Sequence, residues 1–392
     1  MRRGVVAIVL VMAAVLVFWR PPAYAAAPPS LSATAAVLID GTTGQVLYAR
    51  NPLEELYPAS ITKIMTAYLA INSPAWRGTL TVSAEAASQP GSSAYLRPGQ
   101  VLPVAQVAQV MMLTSGNDAA WALAQAVSGH ERAFVALMNQ TARAWGAPGI
   151  HFANPTGLPL PNHVVTALGM AIIARRAMEN PIFRHLVSVR FATLPPDPGP
   201  RLYYNQNELL YSYPGANGIK LGYTIEAGET LAASATRRGQ FLIAILLHDT
   251  PTGLWPDAAS LLSWGFATFR PTTIVRAHRR LVVASWGKVH VPVTVNRPVV
   301  LLSAGGGPLP SGTIRLRYHW VPGLERGHRG SIVGQLSVIG PYGQVLATRP
   351  LRALRAWAPP APRRPWHPAW PAAALVVGFG YTWWTRERPY AA

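Results

Sequence analysis

Residues 58–67 read PASITKIMTA, a segment that combines a helical pattern with a serine and a lysine. Its apolar residues recur at helical spacing, which predicts a helix that begins near Ser60. Ser60 and Lys63 are three positions apart, so a helix places both side chains on one face. A neutral lysine amine can take the serine proton and leave a nucleophilic oxygen. Taken alone, the pair also fits the exposed face of an amphipathic helix.

Lysine is rare in this chain, which makes each lysine informative. The 392 residues include 34 Lys plus Arg, of which only Lys63, Lys220 and Lys288 are lysine. Arginine keeps its proton near neutral pH, whereas lysine loses it where the surroundings lower its pKa. A reaction that needs a neutral amine therefore has to keep lysine.

Two further motifs follow the first in chain order. Ser115-Gly116-Asn117 interrupts a predicted helical region over 102–127. Lys220 lies in Gly218-Ile219-Lys220-Leu221-Gly222 before a strand-like run, and a glycine beside a strand allows close approach of another backbone. The order Ser-x-x-Lys, Ser-x-Asn, Lys-x-Gly is the signature of penicillin-binding proteins and class A β-lactamases.

Four longer stretches make the resemblance specific: 58–67, 114–120 (TSGNDAA), 152–158 (FANPTGL) and 217–224 (NGIKLGYT). Over about residues 34–270 the chain resembles low-molecular-weight penicillin-binding proteins of the D-alanyl-D-alanine carboxypeptidase type. The resemblance implies an α/β (α+β) fold. A β-lactamase/transpeptidase-like domain, with an antiparallel sheet flanked by helices, would be followed by a small all-β domain.

The resemblance also implies a role for each catalytic residue. Ser60 would be acylated by the penultimate D-Ala carbonyl of a peptidoglycan stem peptide, with release of the terminal D-Ala. Lys63 would activate Ser60 as the base. Ser115 and Lys220 would relay a proton toward the leaving amine, and water would then hydrolyse the acyl-enzyme.

The remaining site residues are implied to bind substrate. Asn117 would hold the peptide backbone or Lys63, and Lys220 and Gly222 belong to the third motif. The backbone N–H groups of Ser60 and Tyr223 would form the oxyanion hole. β-Lactam antibiotics should acylate the same serine, and no metal or cofactor is implied.

The sequence departs from the family where the substrate's terminal carboxylate would bind. Leu221 replaces the usual threonine of the third motif, and the usual arginine is missing from Thr252-Gly253-Leu254-Trp255-Pro256. His248 or Arg238 could take over this role. Four interpretations stay open: a carboxypeptidase that is weak, a DD-endopeptidase that cuts cross-links, a wall-binding scaffold, and, disfavoured by the added β module, a β-lactamase.

The chain has no cysteine, and its positive charge is concentrated in its C-terminal third. The absence of Cys excludes a disulfide scaffold, a thiolate zinc site and a cysteine nucleophile. Of the formal net charge of +19, residues 26–270 carry +2 and residues 271–392 carry +14. Such a basic module could face nucleic acid, anionic lipid or an anionic polymer.

The N-terminus indicates the compartment. Arg2 and Arg3 precede an apolar run, and Ala23-Tyr24-Ala25 follows it, which is the order of a secretory signal peptide over 1–25. An uncleaved N-terminal anchor is the alternative. Either interpretation predicts export to the extracytoplasmic face of a bacterial cell membrane, where nucleic acid is disfavoured as a partner.

The remaining boundaries follow from composition. A catalytic domain is predicted over 26–272 and a β-rich domain over 273–355, with strands near 281–285, 289–295, 299–302, 313–320 and 334–339. Residues 356–392 form a Pro-rich linker and a tail. The span 365–385 has no Lys, Arg, Asp or Glu and is flanked by Trp366, Trp370, Trp383 and Trp384, which predicts membrane association. Packing of the tail on the β module is the alternative.

Several elements and residues have simpler interpretations. A hairpin is predicted over 35–49, strands over 230–236 and 241–248, and helices over 166–179 and 258–269. His151 and His163 are predicted to make structural hydrogen bonds, Asp118 to cap a helix, and 305–307 to form a loop.

Overall fold

A computed structural model describes residues 27–194, 201–286, 289–322, 324 and 326–358. The predicted signal peptide and Lys288 lie outside the described residues, as does the tail beyond residue 358. None of the helices in the described ranges is both long enough and apolar enough to cross a bilayer.

Helices and strands alternate through the first two thirds of the chain, and strands alone fill the rest. The helices are α1 (Lys63–Ile71), α2 (Ala84–Ala87), α3 (Val104–Thr114), α4 (Asn117–Ser128), α5 (Glu131–Ala144), α6 (Ala167–Glu179), α7 (Pro181–Ser188), α8 (Leu209–Ser212) and α9 (Leu254–Thr268), with 3₁₀ turns at Ala59–Thr62 and Pro74–Arg77. The strands are β1 (Ala35–Asp40), β2 (Val46–Arg50), β3 (Thr79–Thr81), β4 (Val101–Pro103), β5 (Phe191–Leu194), β6 (Arg201–Tyr204), β7 (Ala216–Thr224), β8 (Gly228–Arg237), β9 (Gln240–Asp249), β10 (Phe269–Val275), β11 (Val282–Trp286), β12 (Val289–Thr294), β13 (Val299–Ala304), β14 (Arg315–Trp320), β15 (Ile332–Ile339) and β16 (Val345–Ala353).

A five-stranded antiparallel sheet of order β2-β1-β9-β8-β7 forms the centre of the catalytic region. Strand β1 is buried along its whole length, and its side chains alternate between two apolar clusters. Val37 and Ile39 face the cluster formed with α1, α3 and α4, whereas Leu38 faces the cluster formed with α9. The sheet is therefore covered by helices on both faces, and β7 is left at its edge.

Local signals explain where the helices begin. The Thr166 hydroxyl accepts a hydrogen bond from the Gly169 N–H (3.0 Å) and caps α6. Asn180 caps α7 in the same way, and Pro181 follows at the first helical position. Helix α9 begins at Leu254, four residues before the predicted start, because a proline such as Pro256 is tolerated in the first turn.

The C-terminal module is a second antiparallel sheet of order β11-β12-β16-β15-β14, together with the two-stranded pair β10-β13. Its apolar core is separate from the two clusters around the central sheet. Buried Gln45 joins the two parts, because its amide donates to the Leu302 carbonyl and accepts from the Leu302 N–H, each at 2.8 Å. The predicted domain boundary at residue 272 falls inside β10.

The predicted fold class is confirmed, and the predicted hairpin over 35–49 is present as β1 and β2. The strands that escaped prediction are the short pair β3–β4, the site strand β7, and four more. Phe269 begins β10 instead of ending the helix before it, and both the β5–β6 pair and β16 were missed. Alternation is weak in these strands, and long-range partners fix them: β10 pairs with β13, and β16 with β15.

Candidate active site

Four segments that are distant in sequence meet around Ser60. Ser60 lies in the 3₁₀ turn Ala59–Thr62, which continues directly into α1. The junction between α3 and α4 supplies Ser115 and Asn117, strand β7 supplies Lys220 and Gly222, and a loop over 152–158 closes the fourth side. Ala59 and Ser115 both have left-handed backbone conformations (φ 49° and 63°), which persist only where the surroundings hold them.

The Lys63 amine contacts three different parts of the site. Its side chain is fully buried, and Nζ lies 2.9 Å from Ser60 Oγ, 2.7 Å from Asn117 Oδ1 and 2.6 Å from the Thr156 carbonyl oxygen. The Asn117 amide is oriented by its Nδ2, which donates to the Pro90 carbonyl (2.6 Å). Lys63 is therefore held by contacts that come from three different segments.

Burial changes the proton affinity of both site lysines. Loss of hydration lowers the pKa of Lys63 well below 10.5, and the nearby charge of Lys220 lowers it further, while Asp118 acts in the opposite sense. Burial lowers the pKa of Lys220 to about 7. The positive charge of one lysine makes the other harder to protonate, so the pair loses its protons in two steps.

Ser115 and Lys220 are near the nucleophile but are not bonded to each other in the described structure. The Lys220 amine donates to the Leu221 carbonyl (2.9 Å). Ser115 is buried, and no hydrogen bond among the described residues uses its hydroxyl. The described structure therefore shows no direct contact through which Ser115 and Lys220 exchange a proton.

Gly222 is the point of closest approach between β7 and the serine. A Cβ at this position would overlap the backbone nitrogen of Ser60. Thr230, opposite Gly222 on β8, fixes the approach by directing its hydroxyl at the carbonyls of Pro58 (2.9 Å) and Gly222 (3.1 Å). Tyr223 follows with its side chain 57% exposed, so β7 forms an open wall of the site.

The loop over 152–158 contains functional groups that sequence analysis left without a role. The Asn154 side chain accepts from the Thr156 N–H (3.1 Å), the Thr156 hydroxyl (2.8 Å) and the Gly157 N–H (2.7 Å), and it donates to the Leu158 carbonyl (2.8 Å). This turn presents the Thr156 carbonyl to Lys63. A Cβ at Gly157 would overlap the Ala59 carbonyl, so only glycine fits there. The family-like stretch FANPTGL (152–158) is the sequence signal that pointed to this loop.

The residues with simpler interpretations take structural positions. The His163 ring, fully buried, lies 3.2 Å from the Thr62 hydroxyl, and burial lowers its pKa to about 4. His151 contacts the Asn162 carbonyl (2.6 Å). Asp118 is not the N-cap of α4, because that position is Gly116 and no side chain caps the helix; its carboxylate instead accepts from Ser93, Ala94 and Leu96. No cluster of metal-ligating side chains occurs in the described ranges.

The two candidate carboxylate partners are in different places. Arg238 is in the β8–β9 turn, at the end of the sheet opposite Gly222, so it is too far away to serve. His248 is exposed beside the turn after β7, with Nδ1 3.0 Å from the Ala227 carbonyl. Leu221 is half-buried against the apolar cluster under α9, opposite Leu231.

Comparison with known proteins places this geometry in context. A family model described as D-alanyl-D-alanine carboxypeptidase matches residues 23–251. The chain is 30% identical over 334 residues to D-alanyl-D-alanine carboxypeptidase DacF of Bacillus subtilis, covering 82% of this chain and 85% of that relative.

Two solved structures are similar over both parts of the chain. The D-alanyl-D-alanine carboxypeptidase DacD of Francisella tularensis matches with a TM-score of 0.67 and 25% identity, covering 88% of this chain and 98% of that one. Penicillin binding protein 5 of Haemophilus influenzae matches with a TM-score of 0.67 and 26% identity, covering 84% and 98%.

Asn154→Ala should lower the free energy of unfolding by about 3 kcal/mol, because it removes four hydrogen bonds and leaves buried N–H groups unpaired. Urea denaturation measures this change. Asn296→Ala is the control, since Asn296 is exposed and its side chain makes no hydrogen bond in the described structure; its effect should stay within about 0.5 kcal/mol. Equal effects of the two substitutions would contradict the role assigned to Asn154.

Proposed function

The chain belongs to the D-alanyl-D-alanine carboxypeptidase family of serine hydrolases, and from this premise we propose that it removes the terminal D-alanine of peptidoglycan stem peptides through an acyl-enzyme on Ser60. The observation that carries the proposal is the hydrogen bond between Ser60 Oγ and the buried Lys63 amine.

The contacts of Lys63 suit a general base. A neutral amine has two N–H donors and one lone pair. Asn117 Oδ1 and the Thr156 carbonyl can only accept, so they take the two N–H groups. The lone pair then faces Ser60 Oγ and can take its proton as that oxygen attacks the penultimate D-Ala carbonyl. Burial lowers the pKa of Lys63 and so favours its neutral form relative to an exposed lysine.

The close approach of β7 to Ser60 would form the oxyanion hole of the site. As the carbonyl is attacked, negative charge develops on its oxygen. The backbone N–H groups of Ser60 and Tyr223 would stabilise that charge, since Gly222 lets the strand lie against the turn that carries Ser60. Preorganised donors of this kind contribute about 3–4 kcal/mol.

Ser115 and Lys220 complete the reaction in this proposal. The proton that Lys63 takes from Ser60 has to reach the leaving D-Ala nitrogen. The Ser115 hydroxyl, which has no other partner among the described residues, would pass it on, and Lys220 would orient that hydroxyl and the substrate. Water then attacks the acyl-Ser60 ester, with Lys63 again as the base, and releases the shortened peptide. β-Lactams would acylate Ser60 by the same first step.

Export and membrane association belong to the proposal as well. Substrate in the cell wall requires an extracytoplasmic site, which agrees with the signal-like sequence of residues 1–25. The domain boundaries at 26–272 and 273–355, and a membrane-associating tail over 356–392, remain part of this proposal.

D-Ala release from diacetyl-Lys-D-Ala-D-Ala tests the activity directly. Ser60→Ala should abolish release, because no nucleophile remains, while Ser92→Ala should retain it, since Ser92 is exposed and contributes only its backbone to the structure. Release that survives Ser60→Ala would refute the mechanism. A stable penicillin adduct without D-Ala release would direct the search to cross-linked peptides, and rapid penicillin turnover would favour a β-lactamase.

The pH profile tests the role of Lys63. Acidification should lower kcat/KM as Lys63 takes up a proton and ceases to be a base. Lys220→Met removes the charge that lowers the pKa of Lys63, so the acid limb of the remaining activity should move to higher pH. Penicillin acylation rates from pH 5 to 9 measure this shift. An acid limb that stays in place would contradict the coupling between the two lysines.

Leu221→Thr tests the carboxylate hypothesis. A threonine hydroxyl at this position, as in the family, should hydrogen-bond the substrate carboxylate and raise kcat/KM for D-Ala release by about 10- to 100-fold. The matched measurement is penicillin acylation of the same variant, which reports any change in the nucleophile itself. Unchanged D-Ala release would remove the missing hydroxyl as an explanation and favour a substrate without a free carboxylate.

A further inference from the structure

Arginines are concentrated in two loops of the C-terminal module. The loop before β11 contains Arg276, Arg279 and Arg280, and the loop before β15 contains Arg326 and Arg329. All five side chains are exposed. Together with Arg352 on β16, we refer to these six residues as the arginine rim.

The fold connects these loops, although they are about 50 residues apart in sequence. Thr294 at the end of β12 donates from its hydroxyl to the Arg279 carbonyl (2.7 Å). Arg352 is directly opposite Thr294 on β16. The Arg352 guanidinium in turn donates to the carbonyl of Gly330 (2.8 Å), next to Arg329. Thr294 and Arg352 thus link the two loops across neighbouring strands.

Acidic residues are scarce in the sequence around the rim. Residues 273–358 contain a single acidic residue, Glu325. Among the described residues, no ion pair involves the rim, and only Arg352 of the six uses its guanidinium in a hydrogen bond. Arginines on connected loops, with one acidic residue in the sequence of the module, repel one another, so the arrangement favours an anionic ligand.

Exposed apolar side chains adjoin the rim, and they favour a bilayer over a soluble polyanion as its ligand. Ile332, directly opposite Arg352, is 50% exposed, and Val321 is 40% exposed. Both line a shallow groove of about 450 Å³ on the same part of the module. Exposed aliphatic side chains beside arginines fit the boundary between phosphate headgroups and acyl chains.

The position at which the chain leaves the described structure also favours a bilayer as the partner. Trp357 exchanges two backbone hydrogen bonds with Gly327, each of 2.9 Å, inside the second rim loop. The described chain then ends at residue 358. The sequence beyond it contains the charge-free span 365–385. The chain therefore leaves the described structure beside the rim, and the sequence that follows carries four arginines and one glutamate around the charge-free span.

We propose that the arginine rim binds anionic phospholipid headgroups and holds the C-terminal module against a bilayer, beside the departure point of the tail. Membrane attachment that relies on one weak apolar segment is marginal, and a basic patch beside it supplies the second signal. This role lies outside the peptidase chemistry and does not depend on it.

Vesicle sedimentation with the full-length chain tests the proposal. Vesicles of phosphatidylcholine alone are compared with vesicles that also contain phosphatidylglycerol. Each basic residue near an anionic surface contributes about 5-fold in affinity, so the triple variant Arg279→Gln/Arg280→Gln/Arg329→Gln should bind the anionic vesicles about 100-fold more weakly. Its binding to the neutral vesicles should not change.

The matched control is Arg77→Gln/Arg132→Gln/Arg143→Gln, which removes the same charge from exposed, unbonded positions of the catalytic domain. It should keep the preference for anionic vesicles. Thermal unfolding and penicillin acylation show whether each variant is folded, independently of lipid binding.

Three results would overturn the proposal. The native chain could bind both kinds of vesicle equally, or the control variant could lose as much affinity as the rim variant, which would indicate net charge alone. Alternatively, the rim variant could lose affinity for soluble polyphosphate and keep its vesicle binding. That outcome would assign the rim to an anionic wall polymer.

Discussion

The buried amine of Lys63 is the constraint on which the rest of the catalytic region depends. An amine that is removed from water loses its proton readily, yet its N–H groups still need acceptors. Asn117 and the Thr156 carbonyl meet that need, and they come from opposite sides of the site. The α3–α4 junction and the loop over 152–158 therefore have to be placed accurately with respect to α1. The helices packed on the central sheet provide that accuracy, since they form one continuous apolar cluster.

Much of the site could be predicted because its side chains occur in short motifs. The spacing of Ser60 and Lys63 indicates one helix face without any knowledge of the fold, and the shortage of lysine draws attention to Lys220. The Thr156 carbonyl could not be found in this way, because a backbone acceptor has no residue-type signal. The same holds for Thr230, whose two acceptors lie at Pro58 and Gly222. Strands β10 and β16 were missed because their partners, rather than their own patterns, define them.

Recognition of the substrate and chemistry at the serine are separable in this structure. The groups that activate Ser60 lie on the face of the sheet that α1, α3 and α4 cover, whereas Leu221 packs against Leu231 and the cluster under α9. A change at Leu221 can alter what binds beside β7 without disturbing the contacts of Lys63. Gln45 joins the catalytic region to the C-terminal module through paired hydrogen bonds to Leu302, so the two parts are not loosely tethered at that point.

Because this protein has so few lysines, chemical labelling of lysine amines can report specifically on its catalytic centre. Two of its three lysines, Lys63 and Lys220, are 0% and 1% exposed, so an amine-directed reagent cannot reach them in this conformation. Modification of either residue has to wait for a local opening of the structure. The rate of that labelling, followed by mass spectrometry, therefore records how often the catalytic centre opens to solvent. A ligand that closes the centre slows the labelling, so the native chain reports on its own opening without an added probe.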